Sequence, residues 1–198
     1  MHRQPHDDRD DKMCWLSAGE VDQFITGVDD TTRRLAFALG LRCGLRSCEI
    51  VGVTPDDLTR GPQGPMLNVR EDVAKAGKYR ETPVPSTLAT TIRTVADVRT
   101  ESDSSPLVGR STRTLRRWVE QRGDQLARET DTDGWRDVTA HDFRRTWATL
   151  LAGHDGVDAL LVCQWGGWED LETFLEHYHG AHSPEVQRQA RESVEWLQ

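Results

Sequence analysis

Lysine is almost missing from this sequence. Lys12, Lys75 and Lys78 are the only lysines among 25 basic side chains, and these face 33 aspartates and glutamates. The net charge of −8 excludes a protein that meets a polyanion with its whole surface. An arginine-rich, acidic composition suits high ionic strength, where salt screens self-repulsion over a few ångströms, so a halophilic setting is expected. No apolar run approaches the roughly eighteen residues of a membrane span, and the polar start MHRQPHDDRDDKM lacks a signal-peptide pattern. A cytoplasmic protein with no membrane partner is expected. The cysteines, Cys14, Cys43, Cys48 and Cys163, form no CxxC pair, which argues against a zinc site and for reduced, mostly buried thiols. Tyrosine is scarcer still, with Tyr79 and Tyr178 alone.

What the chain does have is helical periodicity. Residues 1–13 show no hydrophobic period and read as a disordered acidic tail, leaving one compact domain over 14–198. Ser17-Ala18-Gly19-Glu20 is a capping-box pattern ahead of Val21, Phe24 and Ile25, predicting a helix from Ala18 to about Val28. Asp29 and Asp30 can cap a second helix whose Leu35, Phe37, Ala38, Leu39 and Leu41 leave little polar face, so it should be central and buried. The period then changes. Residues 66–70 and 80–85 read as two strands around an Ala76-Gly77-Lys78 turn. Further helices are expected over about 87–99, from Ser111 or Thr112, from Thr139, over 157–165, over 171–178 and from Pro184. The last carries a stripe of Val186, Ala190, Val194 and Leu197 that must dock on its own domain or on a neighbouring protomer. The fold class is mainly α with a small antiparallel β-sheet, an α+β domain.

Basic charge concentrates in one segment. Between residues 109 and 128, Arg110, Arg113, Arg116, Arg117, Arg122 and Arg128 face only Glu120 and Asp124, while Leu115, Trp118, Val119 and Leu126 form the buried stripe. The exposed arginines of such a helix suit DNA phosphates. Lys78 joins them as a candidate contact.

The chemistry-bearing residues lie elsewhere. His141 and Arg144 sit three apart on one helix, so imidazole and guanidinium can converge on one anionic group, plausibly a phosphate. Gly166-Gly167 permits a tight turn that presents Trp168, and Tyr178 follows as a candidate nucleophile. Upstream, Arg46 and Glu49 are paired by the same three-residue spacing, and Lys75 precedes the hairpin turn.

These residues in this order, GLRxxE at 44–49, KAGK at 75–78, HDFRRTWAT at 141–149, the Gly-Trp turn and the tyrosine, resemble the tyrosine recombinase (phage integrase) catalytic domain. Together with the composition, the resemblance suggests a haloarchaeal or haloviral source. It implies a site-specific DNA recombinase or integrase in which Tyr178 attacks a scissile phosphate to give a 3′-phosphotyrosyl link and a free 5′-hydroxyl. Arg46 and Arg144 would bind the non-bridging oxygens, His141 would take the tyrosine proton, Trp168 would donate to the phosphate or pack the site, Lys75, with Lys78 as the competing candidate, would protonate the leaving oxygen and Glu49 would orient its neighbours. No cofactor or metal is implied, although His177, His179 and His182 lie close in sequence. The partner would be double-stranded DNA, with a monomer in solution assembling into dimers or tetramers on it.

Two features depart from the family pattern. The interval from Trp168 to Tyr178 is one residue longer than usual, which puts His177 at the customary nucleophile position, a displacement of about 100° around a helix unless a loop absorbs it. Family members also carry a helical DNA clamp, or core-binding domain, before the catalytic domain, and only the acidic tail is expected here. A non-catalytic DNA-binding regulator with this fold, and a type IB topoisomerase-like relaxing enzyme, are therefore the alternatives.

Overall fold

A computed structural model describes residues 1–6, 9–74, 77–177, 188, 191, 192 and 196. At its centre Phe24, Phe37 and Phe143 meet edge to face, with ring centres 5.1 to 5.9 Å apart. Edge contacts suit ring quadrupoles, and all three rings are fully buried. They come from three helices: α1 (Ala18–Ile25), α2 (Thr31–Cys43) and α6 (Ala140–Thr149). As its apolar run predicts, α2 is central, with every residue from Leu35 to Leu41 buried. Ser17 and Glu20 close the expected capping box on α1, and Asp30 caps α2.

Around this core the chain adds α3 (Ser47–Gly52), α4 (Ser86–Val98) and α5 (Thr112–Thr130). A second apolar cluster of Trp147, Ala148, Val162, Cys163 and Phe174 joins the end of α6 to α7 (Ala159–Gly166) and α8 (Leu171–His177). A five-residue π turn, Leu150–His154, continues α6 between the two clusters. Among the described residues no helix is long and apolar enough to cross a membrane.

The domain is mainly helical with small antiparallel sheets, as the sequence predicts. Two strands fall where expected, β4 (Gly64–Val69) and β5 (Arg80–Pro83), and an additional edge strand, β3 (Leu58–Gly61), completes the order β3-β4-β5. Met66 pairs with Pro83 and Val69 with Arg80.

The segment expected to be a disordered tail is a correction. It forms an antiparallel hairpin, β1 (His2–His6) with β2 (Arg9–Trp15). Its anchors are groups about 130 residues away: the Cys14 N–H donates to Asp142 Oδ1 (3.1 Å) and the Leu16 N–H to Thr146 Oγ1 (3.0 Å). Arg3 and Lys12 both pair with Asp137. A largely polar hairpin with no apolar period folds here because Cys14 and Trp15 at its end are buried and its backbone donors meet buried acceptors on α6, which no local pattern reveals.

Candidate active site

Gly44 ends α2 in the left-handed conformation (φ 67°), and the chain turns directly into α3. Arg46 caps α3 and Glu49 lies one turn on. The Glu49 carboxylate accepts from the Arg46 backbone N–H (2.7 Å) and from Arg46 Nη1 (3.0 Å), closing a capping box from the third residue back. Glu49 is fully buried, and a buried carboxylate persists only when its lone pairs are met. The larger share comes from Arg80 at the start of β5, whose Nη1 and Nη2 donate to Oε1 and Oε2 at 2.8 and 2.6 Å. This is the two-pronged geometry that makes arginine–carboxylate pairs strong. Burial pushes the Glu49 carboxyl up, but the Arg80 and Arg46 contacts outweigh it and hold it at about 2.

From this carboxylate the network reaches the turn after α7. Gly167 ends that helix with φ 67°, and its carbonyl accepts from Arg46 Nη2 (3.0 Å). The Trp165 carbonyl accepts from Arg80 Nε (3.0 Å). Trp168 follows at once and stacks on Trp147, with ring planes 6° apart and centres 6.5 Å apart, while Phe174 meets it edge-on at 5.0 Å.

Arg144 enters the same place from α6. Its Nη1 donates to the Gly44 carbonyl (2.9 Å), and its guanidinium carbon lies 3.5 Å from the Trp168 ring centre. Its Nη2 is buried and meets no acceptor among the described residues. Burial pulls its pKa well below the ordinary arginine range, and the like charges of Arg46 and Arg80 pull it further. Two guanidiniums thus share one carboxylate, and a third, with an unused donor, lies beside them.

Of the sequence-predicted residues, Arg46, Glu49, Arg144 and Trp168 are brought together. His141 lies in the first turn of α6, exposed. Lys75 and Tyr178 lie outside the described residues, as do His179 and His182, and the stripe from Val186 to Leu197. Lys78 is exposed and ion-paired with Glu169, beside the Trp168 turn, at 3.4 Å. Arg110, Arg113, Arg116 and Arg117 are exposed at and along the start of α5. Arg122 from the same basic segment is buried instead, donating to the carbonyls of Gln23, Phe24 and Thr26 at the end of α1.

Arg80 is the site member that motif reading missed. Its signal was strand alternation: Arg80, Thr82 and Val84 fall on one face, and a face that buries a valine also buries the arginine. All four cysteines are free thiols; Cys163 is buried near the Trp168 and Asp170 carbonyls, with burial first and Asp170 second raising its pKa. Among the described residues no three His, Cys, Asp or Glu side chains gather to hold a metal ion.

The Phage integrase family matches residues 15–183. Among solved structures, the fold is similar to the XerA recombinase, with 21% identity over 91% of this chain and 64% of that one and a TM-score of 0.72. It is also similar to the Tn1549 transposon integrase in complex with circular intermediate DNA (16% identity, 96% and 70% covered, TM-score 0.69). A third is the XerH site-specific recombinase bound to a palindromic difH substrate (20% identity, 93% and 53% covered, TM-score 0.66). At these identities the likeness concerns the fold. The chain spans 64% of the length of the XerA chain and 53% of the XerH chain. No curated protein matches it by sequence.

Proposed function

Because this chain belongs to the phage integrase family, we propose that it is the catalytic domain of a site-specific DNA recombinase working through a phosphotyrosyl intermediate. The observation that carries the reading is the charge arrangement. Arg46 and Arg80 share the buried Glu49 carboxylate, and Arg144 beside them is bonded only to a carbonyl, with a buried donor that has no acceptor among the described residues. An anion with several oxygens balances such a site, and a phosphodiester passing through a pentacoordinate transition state gains most from it.

In the proposed reaction the Tyr178 oxygen attacks the scissile phosphorus and its proton passes to His141. The bond from phosphorus to the 5′-oxygen breaks, and that oxygen takes a proton from Lys75. The product is a 3′-phosphotyrosyl link with a free 5′-hydroxyl, and the reverse attack by a partner strand's hydroxyl rejoins DNA without an external energy source. Arg46 and Arg144 hold the non-bridging oxygens, Glu49 orients Arg46, and Trp168 supports Arg144. The start of α5, with Arg110, Arg113, Arg116 and Arg117, contacts the DNA backbone, as does Lys78. Monomers assemble into dimers or tetramers on DNA. A cytoplasmic setting and a halophilic source complete the reading.

The test is covalent capture at high potassium chloride from a library of nicked duplexes with randomised arms. A protein–DNA adduct in the wild type, absent in Tyr178→Phe and kept in His177→Ala, supports the reading. No adduct on DNA that the protein binds would favour a non-catalytic regulator, the alternative suggested by the extra residue between Trp168 and Tyr178.

A further inference from the structure

Arg80 holds more of the site together than either arginine of the sequence motif. It is buried, and all three of its guanidinium nitrogens are used. Two grip both oxygens of Glu49, and the third binds the Trp165 carbonyl in the last turn of α7. Its side-chain stem also lies against Gly167, where an added Cβ would come within 2.7 Å of Arg80 Cδ. One side chain therefore ties β5 to α3, which carries Arg46, and to the turn that presents Trp168 against Arg144. Each of its three guanidinium nitrogens already donates within the protein, and its two contacts to Glu49 and one to the Trp165 carbonyl turn it towards these neighbours, through which it acts on an anion.

We infer that Arg80 is a positioning residue: it sets Glu49, and through it Arg46, while fixing the α7–α8 turn so that Trp168 backs the Arg144 guanidinium. Without Arg80, Glu49 keeps only Arg46 as a charged partner. Arg46 Nη1 would then be drawn more tightly to the carboxylate and away from a phosphate. The Trp165 carbonyl would lose its donor, and the Trp168 turn would be free to shift. A lysine keeps the charge but cannot make two parallel hydrogen bonds to one carboxylate and a third to a carbonyl in the same plane, so Arg80→Lys separates geometry from charge.

The inference rests on the recombinase reading for its kinetic consequence, and its test has one readout that does not. Arg80→Lys and Arg80→Gln are compared with the wild type for thermal melting, DNA affinity, the first-order rate of covalent adduct formation, and inorganic phosphate affinity by tryptophan fluorescence. The expected result is a folded Arg80→Lys protein whose DNA affinity stays within about twofold, whose adduct rate falls about 100-fold as for a small misplacement of reacting groups, and whose phosphate affinity falls roughly tenfold, the equivalent of one charge-assisted hydrogen bond. Arg46→Lys with Arg80→Lys should lose clearly less than the sum of the two single losses, because both act through Glu49 on one oxygen-binding group while Arg80 also acts through the Trp168 turn. Wild-type rate and phosphate affinity in Arg80→Lys would overturn the inference, as would losses that merely track the folded fraction, or additive losses in the double variant. If the wild type forms no adduct, the recombinase reading falls and phosphate affinity alone decides the role of Arg80.

Discussion

Arg144 rests on Trp168, its guanidinium carbon 3.5 Å from the ring centre, and Trp168 rests in turn on Trp147 with the two indoles nearly parallel. A cation deprived of water is thereby held between a backbone carbonyl and an aromatic face. Trp168→Ala should lower stability by about 3 kcal/mol, whereas Trp168→Phe, which keeps a ring beneath the cation, should cost about 1 kcal/mol. Urea unfolding checks both, and equal losses would show that the ring face is not what supports Arg144.

Glu49 should shape the acid limb of stability. Its folded pKa of about 2 lies below its ordinary 4.5, so its contribution is complete above the ordinary value and is lost as pH falls from there towards 2. Glu49→Gln leaves two arginines without their carboxylate and should cost roughly 3 to 5 kcal/mol at pH 7. The gap between variant and wild type should close as pH drops through that window. Denaturant titrations at pH 7, 4.5 and 2.5 measure it, and a gap independent of pH would mean that the charge of Glu49 is not what stabilises.

The arginines of α5 should divide into two kinds. Arg122, which closes the end of α1, should cost about 3 kcal/mol of stability when changed to alanine and leave the salt dependence of DNA binding unchanged. Arg113→Ala, Arg116→Ala and Arg117→Ala should each leave stability within about 0.5 kcal/mol and reduce the slope of log affinity against log salt by about 0.9. Salt titrations of DNA binding alongside melting curves test the division. A slope change for Arg122, or none for the other three, would reverse it.

Gly44 should tolerate no side chain. Its φ is 67°, and an added Cβ would lie 2.3 Å from the Trp147 ring, which supports Trp168. Gly44→Ala should lose more than about 2 kcal/mol, since left-handed strain and a displaced indole add. Gly156 is also left-handed (φ 69°) but has nothing within 4 Å of an added Cβ, so Gly156→Ala should cost about 1 kcal/mol. Similar losses at both positions would show that backbone strain, and not the indole, sets the cost.

Much of the helical framework was legible because local rules govern it. The capping box of Ser17 and Glu20, the apolar run of α2 and the stripe of α5 each lie within a few turns of one helix. The pairing of Arg46 with Glu49 was legible for the same reason, being one turn apart. The partner that matters more to Glu49 was not, since Arg80 stands 31 positions on, in a strand, where only the alternation with Thr82 and Val84 hinted at burial. The hairpin of β1 and β2 was hidden more thoroughly. Most of its residues are polar, and what holds its end, besides the buried Cys14 and Trp15, are the Asp142 carboxylate and the Thr146 hydroxyl, distant in the chain. Arg122 was counted with its neighbours because charge alone does not tell a solvated arginine from one that caps another helix.

The shortage of negative charge around Glu49 also has a meaning for the resting protein. Among the described residues, Arg46 and Arg80 pair with the one carboxylate of Glu49 and Arg144 lies beside them, three positive charges against one negative. Folding thus forces like charges together, and on the proposed reading an arriving anion would relieve that compression. Heat resistance should then serve as a gauge of occupancy, rising with added phosphate or sulfate and falling on dialysis.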